Sequence, residues 1–386
     1  MWRHIASNAL TFLIVLLFLL AGVIGWGNRE YTARGPLETA ICLQVERGSN
    51  MRGVSEELAE IGAITQPAIF RIGADYSDKA SQLKAGSFLV PRGASMEEII
   101  EIVTASGQST CGTEIVHRIG VTRVLSEVRE LNPETREYED LAQFDPTADE
   151  RPAIYAEKRQ APDTQYRVVV SEGVTSWQVM TALNRLEVLS GEIGEVPDEG
   201  SLAPGSYQVV PGDDAAALVG RMQQAQSRIL AEAWAGRDEG LPLETPQEAL
   251  ILASIVEKET GGYDEGRTGA SVFENRLERG MRLQTDPTVI YGITEGRGVL
   301  GRGLRQSELR ARTPYNTYVI DGLPPTPIAN PGRLSIEAVM NPGETDYIFF
   351  VAKTLDPRDG HNFATTLAEH NRNVAAYRAL EAEQAE

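Results

Sequence analysis

A run of 22 uncharged residues, from Ile5 to Trp26, constrains this 386-residue chain more than any other stretch. The run is rich in leucine, isoleucine, valine and phenylalanine, and it is long enough to cross a bilayer as one helix. It is longer than the apolar part of an ordinary signal peptide and no clear cleavage site follows, so it predicts an uncleaved anchor; a cleaved signal peptide is the alternative. The rest of the chain then lies outside the cytoplasm.

The overall charge narrows the possible partners. The chain has 55 acidic and 36 basic residues and a net charge of −19. This balance argues against nucleic acid or an anionic membrane surface as the main partner. Cys42 and Cys111 are the only cysteines; an oxidising compartment permits a bridge between them without requiring one. Neither the cysteines nor the histidines have metal-ligand spacing, so no metal or cofactor is expected.

An internal repeat follows the apolar run. The segments from Lys84 to Gly93 and from Ala203 to Gly212 both place two glycines seven residues apart around a short strand, and a helical pattern follows each. Each copy predicts the order strand, helix, strand, helix, with turns at the glycines. The first copy resembles LysM modules, which bind N-acetylated glycans. Two packing modules without a ligand are the alternative.

The stretch between the copies, Gly112 to Gln165, is charged and contains several prolines. This composition predicts an insertion or linker that is partly mobile. One helix is predicted within it, around Val121 to Leu131. No chemistry is assigned to this stretch.

The segment that begins at Thr245 predicts a buried helix with acids at its end. Thr245-Pro246-Gln247-Glu248 is a capping box with proline at the first helical position, and Gly261-Gly262 predicts the end. The apolar residues between them cover every side of the helix. Glu257 and Glu259 stand in the last turn, where burial and the helix dipole disfavour the charged form. A raised pKa of this kind suits a general acid near neutral pH.

The helical wheel separates the two glutamates. Glu257 shares a stripe with the small Ser254, which could line the floor of a groove. Glu259 lies on the opposite stripe with Ile255 and points into packing or toward a supporting base such as Arg276. A purely structural role for both, at the surface where the helix ends, is the alternative, and the wheel alone does not decide between them.

Candidate ligand contacts follow along the chain. A second helix, from Ala270 to Arg279, carries Asn275 and Arg276. Asp286-Pro287 is typical of a helix start, so Asp286 is expected to be a cap more than a catalyst. Rigid loops with tyrosine and asparagine suit sugar recognition, and His361 lies among polar residues, although a lone histidine is more often structural. The candidates for substrate binding are Ser254, Glu259, Asn275, Arg276, Gln284, Thr285, Asp286, Tyr315, Asn316, Tyr318, Asn330 and His361.

These ordered motifs closely resemble the MltG-like (YceG-like) endolytic murein transglycosylases. The resemblance rests on Leu252 to Thr260, Ser271 to Leu277 and Leu283 to Gly292. It continues through Tyr315 to Tyr318, Leu323 to Pro325, Ile328 to Gly332 and His361 to His370. It implies an inner-membrane-anchored lyase of the periplasm that cuts nascent glycan strands of peptidoglycan and leaves 1,6-anhydro-N-acetylmuramic acid ends. By motif position it puts the catalytic glutamate, general acid and then base, at Glu257. Peptidoglycan synthases are the expected partners.

Two other functions stay open at this point. A muramidase would use water, with Glu257 as acid and Asp286 or Glu259 as its partner. A binding or scaffold protein would hold cell-wall machinery through its glycan modules and anchor.

The expected architecture is α+β with five parts. They are a cytoplasmic end and transmembrane helix (1–27), a LysM-like α/β module (35–106), the insertion or linker (107–165), a second small α/β module (166–240) and a mixed α/β catalytic domain (241–380).

Overall fold

The computed structural model describes residues 2–105, 109–148, 150–161, 163–260, 265–356 and 359–384. Helices and sheets are mixed along the chain, as predicted. The predicted helix stop at Gly261-Gly262 lies outside the described residues. The chain divides into two compact units: one comprises 1–115, 127–143 and 150–165, and the other comprises 116–126, 144–149 and 166–386.

The first unit begins with the long helix α1, Trp2–Thr32. Within Leu10–Thr32 an 18-residue window has a mean hydropathy of 2.5, and no residue of that window is buried by the rest of the protein. It is the one helix in the described part of the chain that is long and apolar enough to cross a membrane. At its carboxyl end the Glu30 carboxylate accepts a hydrogen bond of 2.6 Å from the Thr65 hydroxyl, so the helix is tied to the module that follows.

That module is a strand–helix–helix–strand unit with a further helix. Strand β1, Ile41–Val45, pairs antiparallel with β2, Gly86–Val90, and Leu43 lies opposite Phe88. One helix was predicted between the strands and two are present; the elements are α2 Met51–Glu60, α3 Pro67–Tyr76 and α4 Met96–Thr104. Apolar side chains from both strands and all three helices form one buried core. A disulfide joins Cys42 and Cys111, with 5.5 Å between their Cα atoms.

The stretch predicted as a linker contains three strands and a short helix. These elements are β3 Thr113–Ile119, β4 Val124–Leu131, β5 Tyr138–Phe144 and α5 Ala153–Lys158. The prediction of a helix around Val121 to Leu131 is therefore wrong. Strand β4 lies between β3 and β5 in a five-stranded sheet, so pairing on both edges determines its conformation more than its helix-forming residues do.

The second unit contains the second copy of the repeat. Its elements are β6 Gln165–Val170, α6 Ser176–Leu183, β7 Leu189–Ser190, β8 Gly205–Val209, β9 Asp213–Asp214 and α7 Ala215–Ala235. Strands β6 and β8 pair antiparallel with α6 between them, in the predicted order. The glycines of the repeat have matching backbones: φ is 70° at Gly93 and 93° at Gly212, values that residues with a side chain rarely adopt.

The rest of the second unit is mainly helical. Its elements are α8 Pro246–Glu259, α9 Gly266–Glu278, α10 Asp286–Thr294, α11 Gln306–Arg310, α12 Arg333–Met340, β10 Phe349–Ala352, β11 His361–Ala364 and α13 Leu367–Gln384. Helix α8 is the centre of the core, packed by α7, α9 and α12. Strands β10 and β11 form an antiparallel pair.

Candidate active site

Helix α8 has the capping that its sequence predicts. The Thr245 hydroxyl accepts from the Glu248 N–H, and the Glu248 carboxylate accepts from the Thr245 N–H, each over 3.2 Å. Every side chain from Ala249 to Val256 is buried. The helix ends at Glu259, and the N–H of Thr260 closes the last turn. Both glutamates therefore emerge, partly exposed, where a fully buried helix ends.

Glu257 is held at the start of helix α12. Its Oε2 atom accepts a hydrogen bond of 2.9 Å from the Gly332 N–H and one of 2.8 Å from the Ser335 hydroxyl. Gly332 is the residue that caps α12. A carboxylate in this position satisfies free N–H groups and complements the positive end of the helix dipole. The arrangement is that of a helix cap.

A groove of about 450 Å³ lies beside Glu257, lined by Thr260, Arg267, Leu334, Glu337 and Asn341 among others. Glu172, from the loop after β6, also lines it. Burial raises the pKa of the Glu172 carboxyl, and the nearby Glu257 carboxylate raises it further. Two acids side by side make this groove unfavourable for an anion.

Lys258, between the two glutamates, points toward the second repeat. Its Nζ atom donates to the Gly173 carbonyl over 3.3 Å. Burial lowers the pKa of the Lys258 ammonium, and the charges of Glu257 and Glu199 oppose that effect. The lysine thus ties the end of α8 to the loop after β6.

Glu259 lies in a second polar cluster, on the other side of α8. Its Oε1 atom accepts a short hydrogen bond from the Thr285 hydroxyl. Thr285 is itself held in place, because its N–H donates to the Thr317 hydroxyl over 3.0 Å. Residues predicted to bind substrate, and far from α8 in the sequence, therefore meet at Glu259.

The surroundings of Glu259 favour its protonated form. Burial raises the pKa of this carboxyl, and the negative charge of Asp286 adds to the rise. The Thr285 hydrogen bond and the positive charges of His361 and Arg276 oppose it without cancelling it. The raised pKa that the sequence predicts for an acid at this helix end is found at Glu259.

Asp286 stands at the exposed edge of this cluster. Its Oδ1 atom accepts a hydrogen bond of 2.7 Å from the Tyr318 hydroxyl, and burial together with that carboxylate raises the pKa of Tyr318. Asp286 is the first residue of α10, but the N-cap position is Thr285 and no side chain there makes a capping hydrogen bond. The cap predicted at Asp286 is therefore displaced by one residue. Gln284, which precedes them, is exposed with a φ of 53°.

Arg276 is a buried strut of the cluster. It donates from Nε to the Ile348 carbonyl over 2.7 Å and from Nη1 to the Leu283 carbonyl over 2.6 Å. Its guanidinium also lies over the Phe349 ring, 5.5 Å from the centroid. With only 7% of the residue exposed, Arg276 joins α9 to β10 and contributes its charge to Glu259 from beneath.

His361 is oriented by Glu265, a residue that sequence reasoning missed. The Nδ1 atom of the histidine lies 2.9 Å from Glu265 Oε2, and the His361 N–H donates to the same carboxylate over 3.0 Å. Burial alone would raise the pKa of Glu265, but these hydrogen bonds and the nearby Lys353 leave it lowered. The hydrogen bonds to Glu265 thus fix the orientation of the imidazole.

Four of the predicted ligand contacts are used inside the protein instead. Ser254 accepts from the Ile328 N–H over 3.0 Å, and Asn330 joins the Val174 carbonyl to the Leu202 N–H. Asn316 donates to three carbonyls around α11, and Asn275 donates to Thr345 and Tyr347. The first three are fully buried. All four side chains make hydrogen bonds within the protein, and their contact with a ligand stays a prediction.

Tyr315 belongs to an aromatic wall on the far side of α10. Its ring lies 5.0 Å from that of Tyr291, and its hydroxyl is 2.8 Å from the Thr326 hydroxyl. The Tyr291 hydroxyl donates to Glu199 over 3.1 Å, and burial raises the pKa of that carboxyl. Glu199 was not predicted as part of the site, since nothing near it in the sequence distinguishes it from a surface acid.

Comparison with known proteins identifies the family. The YceG-like family profile matches residues 43–376. A protein of Bacillus subtilis named endolytic murein transglycosylase is 27% identical over 341 residues, which is 88% of this chain and 85% of that protein. A protein of the same name from Streptococcus pneumoniae is 25% identical over 389 residues; the match spans 97% of this chain and 66% of the pneumococcal protein.

Among solved structures, a YceG-like protein from Listeria monocytogenes is 24% identical. Its TM-score is 0.45, and the match covers 87% of this chain and 99% of that one. The profile match extends from the first module to the last helix and thus covers most of the sequence. The chain belongs to the YceG-like family.

Proposed function

We propose that this chain is an endolytic murein transglycosylase, a lyase that cuts peptidoglycan glycan strands internally. Membership of the YceG-like family and the shared name of its relatives support this activity. The observation that carries the proposal is the buried helix α8, which ends in a carboxyl with a raised pKa inside a cluster of polar groups. A protonated carboxyl near neutral pH is what cleavage of a glycosidic bond requires.

The general acid in this proposal is Glu259 rather than Glu257. Glu257 is occupied with two donors at the start of α12, whereas Glu259 has the raised pKa and is surrounded by Thr285, Asp286 and the charge of His361. The motif position that favours Glu257 and the geometry that favours Glu259 differ by two residues. We propose Glu259 because burial and the Asp286 charge raise the pKa of that carboxyl, and Glu257, which lines the groove, is the alternative acid.

The reaction needs one carboxyl group in two steps. The Glu259 proton passes to the oxygen between N-acetylmuramic acid and N-acetylglucosamine as the bond from muramic C1 to that oxygen breaks. The muramic C6 hydroxyl then bonds to C1 and gives its proton to the Glu259 carboxylate. The products are a free N-acetylglucosamine hydroxyl and a 1,6-anhydro end, and the acid is restored. No carboxylate nucleophile and no water are consumed, unlike in hydrolysis.

The other residues of the cluster have supporting roles in this proposal. Asp286 raises the pKa of Glu259, Thr285 orients its carboxyl, and the exposed Gln284 and the Tyr318 ring contact the glycan. Arg276 and His361 stabilise the carboxylate formed after the first step. We further propose that α1 anchors the chain in the inner membrane and that the remaining residues act in the periplasm, on strands emerging from peptidoglycan synthases.

Paired variants test the assignment. Glu259→Gln keeps the shape of the side chain but removes the proton, so we expect a loss on the order of 10²–10⁴-fold in the rate at which anhydromuramyl ends form. Glu257→Gln is the matched control and should lose far less, with a change in thermal stability from its weakened cap. The substrate is uncrosslinked glycan strands, and mass spectrometry identifies the product ends.

Three results would contradict the proposal. An inactive Glu257→Gln enzyme beside an active Glu259→Gln enzyme would reverse the assignment. Reducing muramic acid ends in place of anhydro ends would identify a muramidase, with Asp286 as the candidate partner of Glu259. If both variants form product at the natural rate, neither glutamate at the end of α8 takes part in catalysis.

A further inference from the structure

A second pocket, outside the Glu259 cluster, lies in the same compact unit. Its volume is about 190 Å³. Pockets that enclose a whole drug-sized ligand measure about 300–1,000 Å³, so this one suits a single group of a larger ligand. Two of its walls are the turn between β3 and β4 and one face of α6. The side chains that line it include Thr122, Arg123, Trp177, Thr181 and Arg185.

The pocket combines an aromatic side chain with two arginines. Trp177 and Thr181 are one helical turn apart on the same face of α6. Arg185 lies in the turn after the helix, and all three side chains line the pocket. Arg123 and Arg185 are exposed, and no carboxylate oxygen lies within 4.0 Å of either among the described residues. Arg185 interacts at longer range with Asp145, whose carboxylate is already held by Thr147.

The chain has a net charge of −19, and these two arginines share one small pocket. Guanidinium groups pair with carboxylates through two parallel hydrogen bonds, and the indole face offers an apolar surface beside them. The pocket therefore fits a carboxylate carried by a compact, partly apolar group.

The pocket is structurally linked to the end of α8. Val121, in the turn that forms one wall, accepts a hydrogen bond of 2.8 Å from Gln178 of α6. Gly173 lies between this turn and α8. A Cβ atom added to Gly173 would be 3.8 Å from the Val121 side chain and 3.5 Å from the Lys258 side chain. A ligand that occupies the pocket is thus bound near Glu257 and Lys258, in the last turn of α8.

We propose that this pocket binds a carboxylate of the peptidoglycan stem peptide, which rests on the function proposed above. The N-acetylated sugars of an intact strand are uncharged, whereas the peptides attached to muramic acid end in carboxylates and carry small apolar side chains. A strand in the active site would place such a peptide beside it. The pocket then makes the enzyme prefer strands with charged stem peptides over strands whose peptides are neutral.

The test compares two substrates that differ only in charge. Uncrosslinked strands are first N-acetylated on their peptides, and half of the sample then has its carboxyls converted to methylamides. The full chain in detergent micelles is assayed for anhydromuramyl ends on both, and the preference is the ratio of the two kcat/KM values. We expect the natural chain to prefer the free carboxylates by about tenfold, equivalent to about 1.4 kcal/mol of binding free energy.

The double variant Arg123→Gln with Arg185→Gln should bring this ratio close to one. Arg228→Gln with Arg372→Gln is the matched control: it removes the same charge from exposed arginines of α7 and α13 and should keep the natural ratio. A double pocket variant that keeps the natural preference would overturn the proposal. So would a natural chain that cuts both substrates equally.

A binding measurement separates this proposal from the proposed function. Isothermal titration of a disaccharide tetrapeptide into the full chain should give binding that the pocket variant weakens about tenfold and the control variant retains. If the chain forms no anhydro ends yet binds in this way, the proposed function fails while the pocket stands. Equal binding by the natural chain and the pocket variant would refute the pocket even if anhydro ends form.

Discussion

At the scale of single residues, the two glutamates at the end of α8 show how position in a fold separates identical side chains. Glu257 and Glu259 are two residues apart, so they leave the helix on different sides. Glu257 meets the start of α12, and Glu259 meets Thr285 and Asp286. The former location stabilises a helix start, and the latter raises the pKa of the carboxyl.

The raised pKa of Glu259 predicts a pH dependence of the rate. The acid must be protonated to donate, so activity should fall as pH rises through the pKa of Glu259 in the folded enzyme. Thr285→Val removes a hydrogen bond that lowers this pKa, so the fall should move to higher pH. Asp286→Asn removes a charge that raises it, and the fall should move to lower pH.

Profiles of kcat/KM against pH check both directions, with Asp75→Asn, an exposed residue of the first unit, as the control. If the Thr285 and Asp286 variants shift the profile in the same direction, Glu259 is not the group that titrates.

Glu274 gives a second residue-scale prediction, on stability. Burial raises the pKa of this carboxyl to about 8, and its Oε1 atom has no hydrogen-bond partner among the described residues. The ordinary value is 4.5, so unfolding releases a proton between about pH 4.5 and 8 and stability falls as pH rises through that window. Glu274→Gln should remove a penalty on the order of a few kcal/mol at pH 8 and almost none at pH 4.5.

Thermal unfolding at the two pH values measures this difference. Glu56→Gln, an exposed change on α2, is the control and should shift neither transition. If Glu274→Gln raises the melting temperature equally at pH 4.5 and pH 8, the Glu274 carboxyl does not change its charge between these two pH values, and the prediction is wrong.

At the scale of elements, the disulfide of the first unit is the clearest source of stability. It joins β1 to the segment before β3 across 69 residues, which include the whole first module. Closing a loop of this length restricts the unfolded chain, and such bridges typically stabilise by about 2–4 kcal/mol. We expect Cys42→Ser with Cys111→Ser to lower the unfolding free energy of the first unit by that amount.

Urea unfolding in detergent checks the loss, and reduction of the natural chain by dithiothreitol should reproduce it. If the serine variant and the reduced chain keep the stability of the natural chain, the bridge is incidental to the fold.

The elements between the two repeats show where sequence patterns mislead. The stretch from Val124 to Leu131 contains glutamate, arginine and leucine, which favour helices, and it forms a strand. In the five-stranded sheet it lies between the strands formed by residues 113–119 and 138–144. Partners on both edges supply hydrogen bonds that no local preference predicts. The turns at the repeat glycines were predictable, by contrast, because a positive φ depends on the residue itself and not on distant partners.

At the scale of the whole molecule, the apolar helix α1 is the feature that predicts where the chain acts. We expect the apolar helix to stay attached, because its uncharged run is long and lacks a clear cleavage site. Sequencing the amino terminus of the protein from membranes checks this prediction. A start between residues 25 and 35 would mean that the helix is a signal peptide, and recovery in the soluble periplasmic fraction would agree with that outcome.

The sequence by itself determined the features that depend on neighbouring residues. The capping box at Thr245, the burial of α8, the apolar helix α1 and the positive φ at the repeat glycines all follow from patterns a few residues long. The resemblance to the YceG-like family also rests on short ordered motifs, and the family profile confirms it.

Only the tertiary structure decided which groups surround each carboxyl at the end of α8. The donors that hold Glu257 are 75 and 78 residues away, and the hydroxyl that holds Glu259 is 26 residues away. The bridge between Cys42 and Cys111 and the contact of Glu265 with His361 depend on similarly distant partners. The pKa of a carboxyl depends on how much water folding removes from it and on which charges folding brings near it. A helical wheel shows neither of these effects.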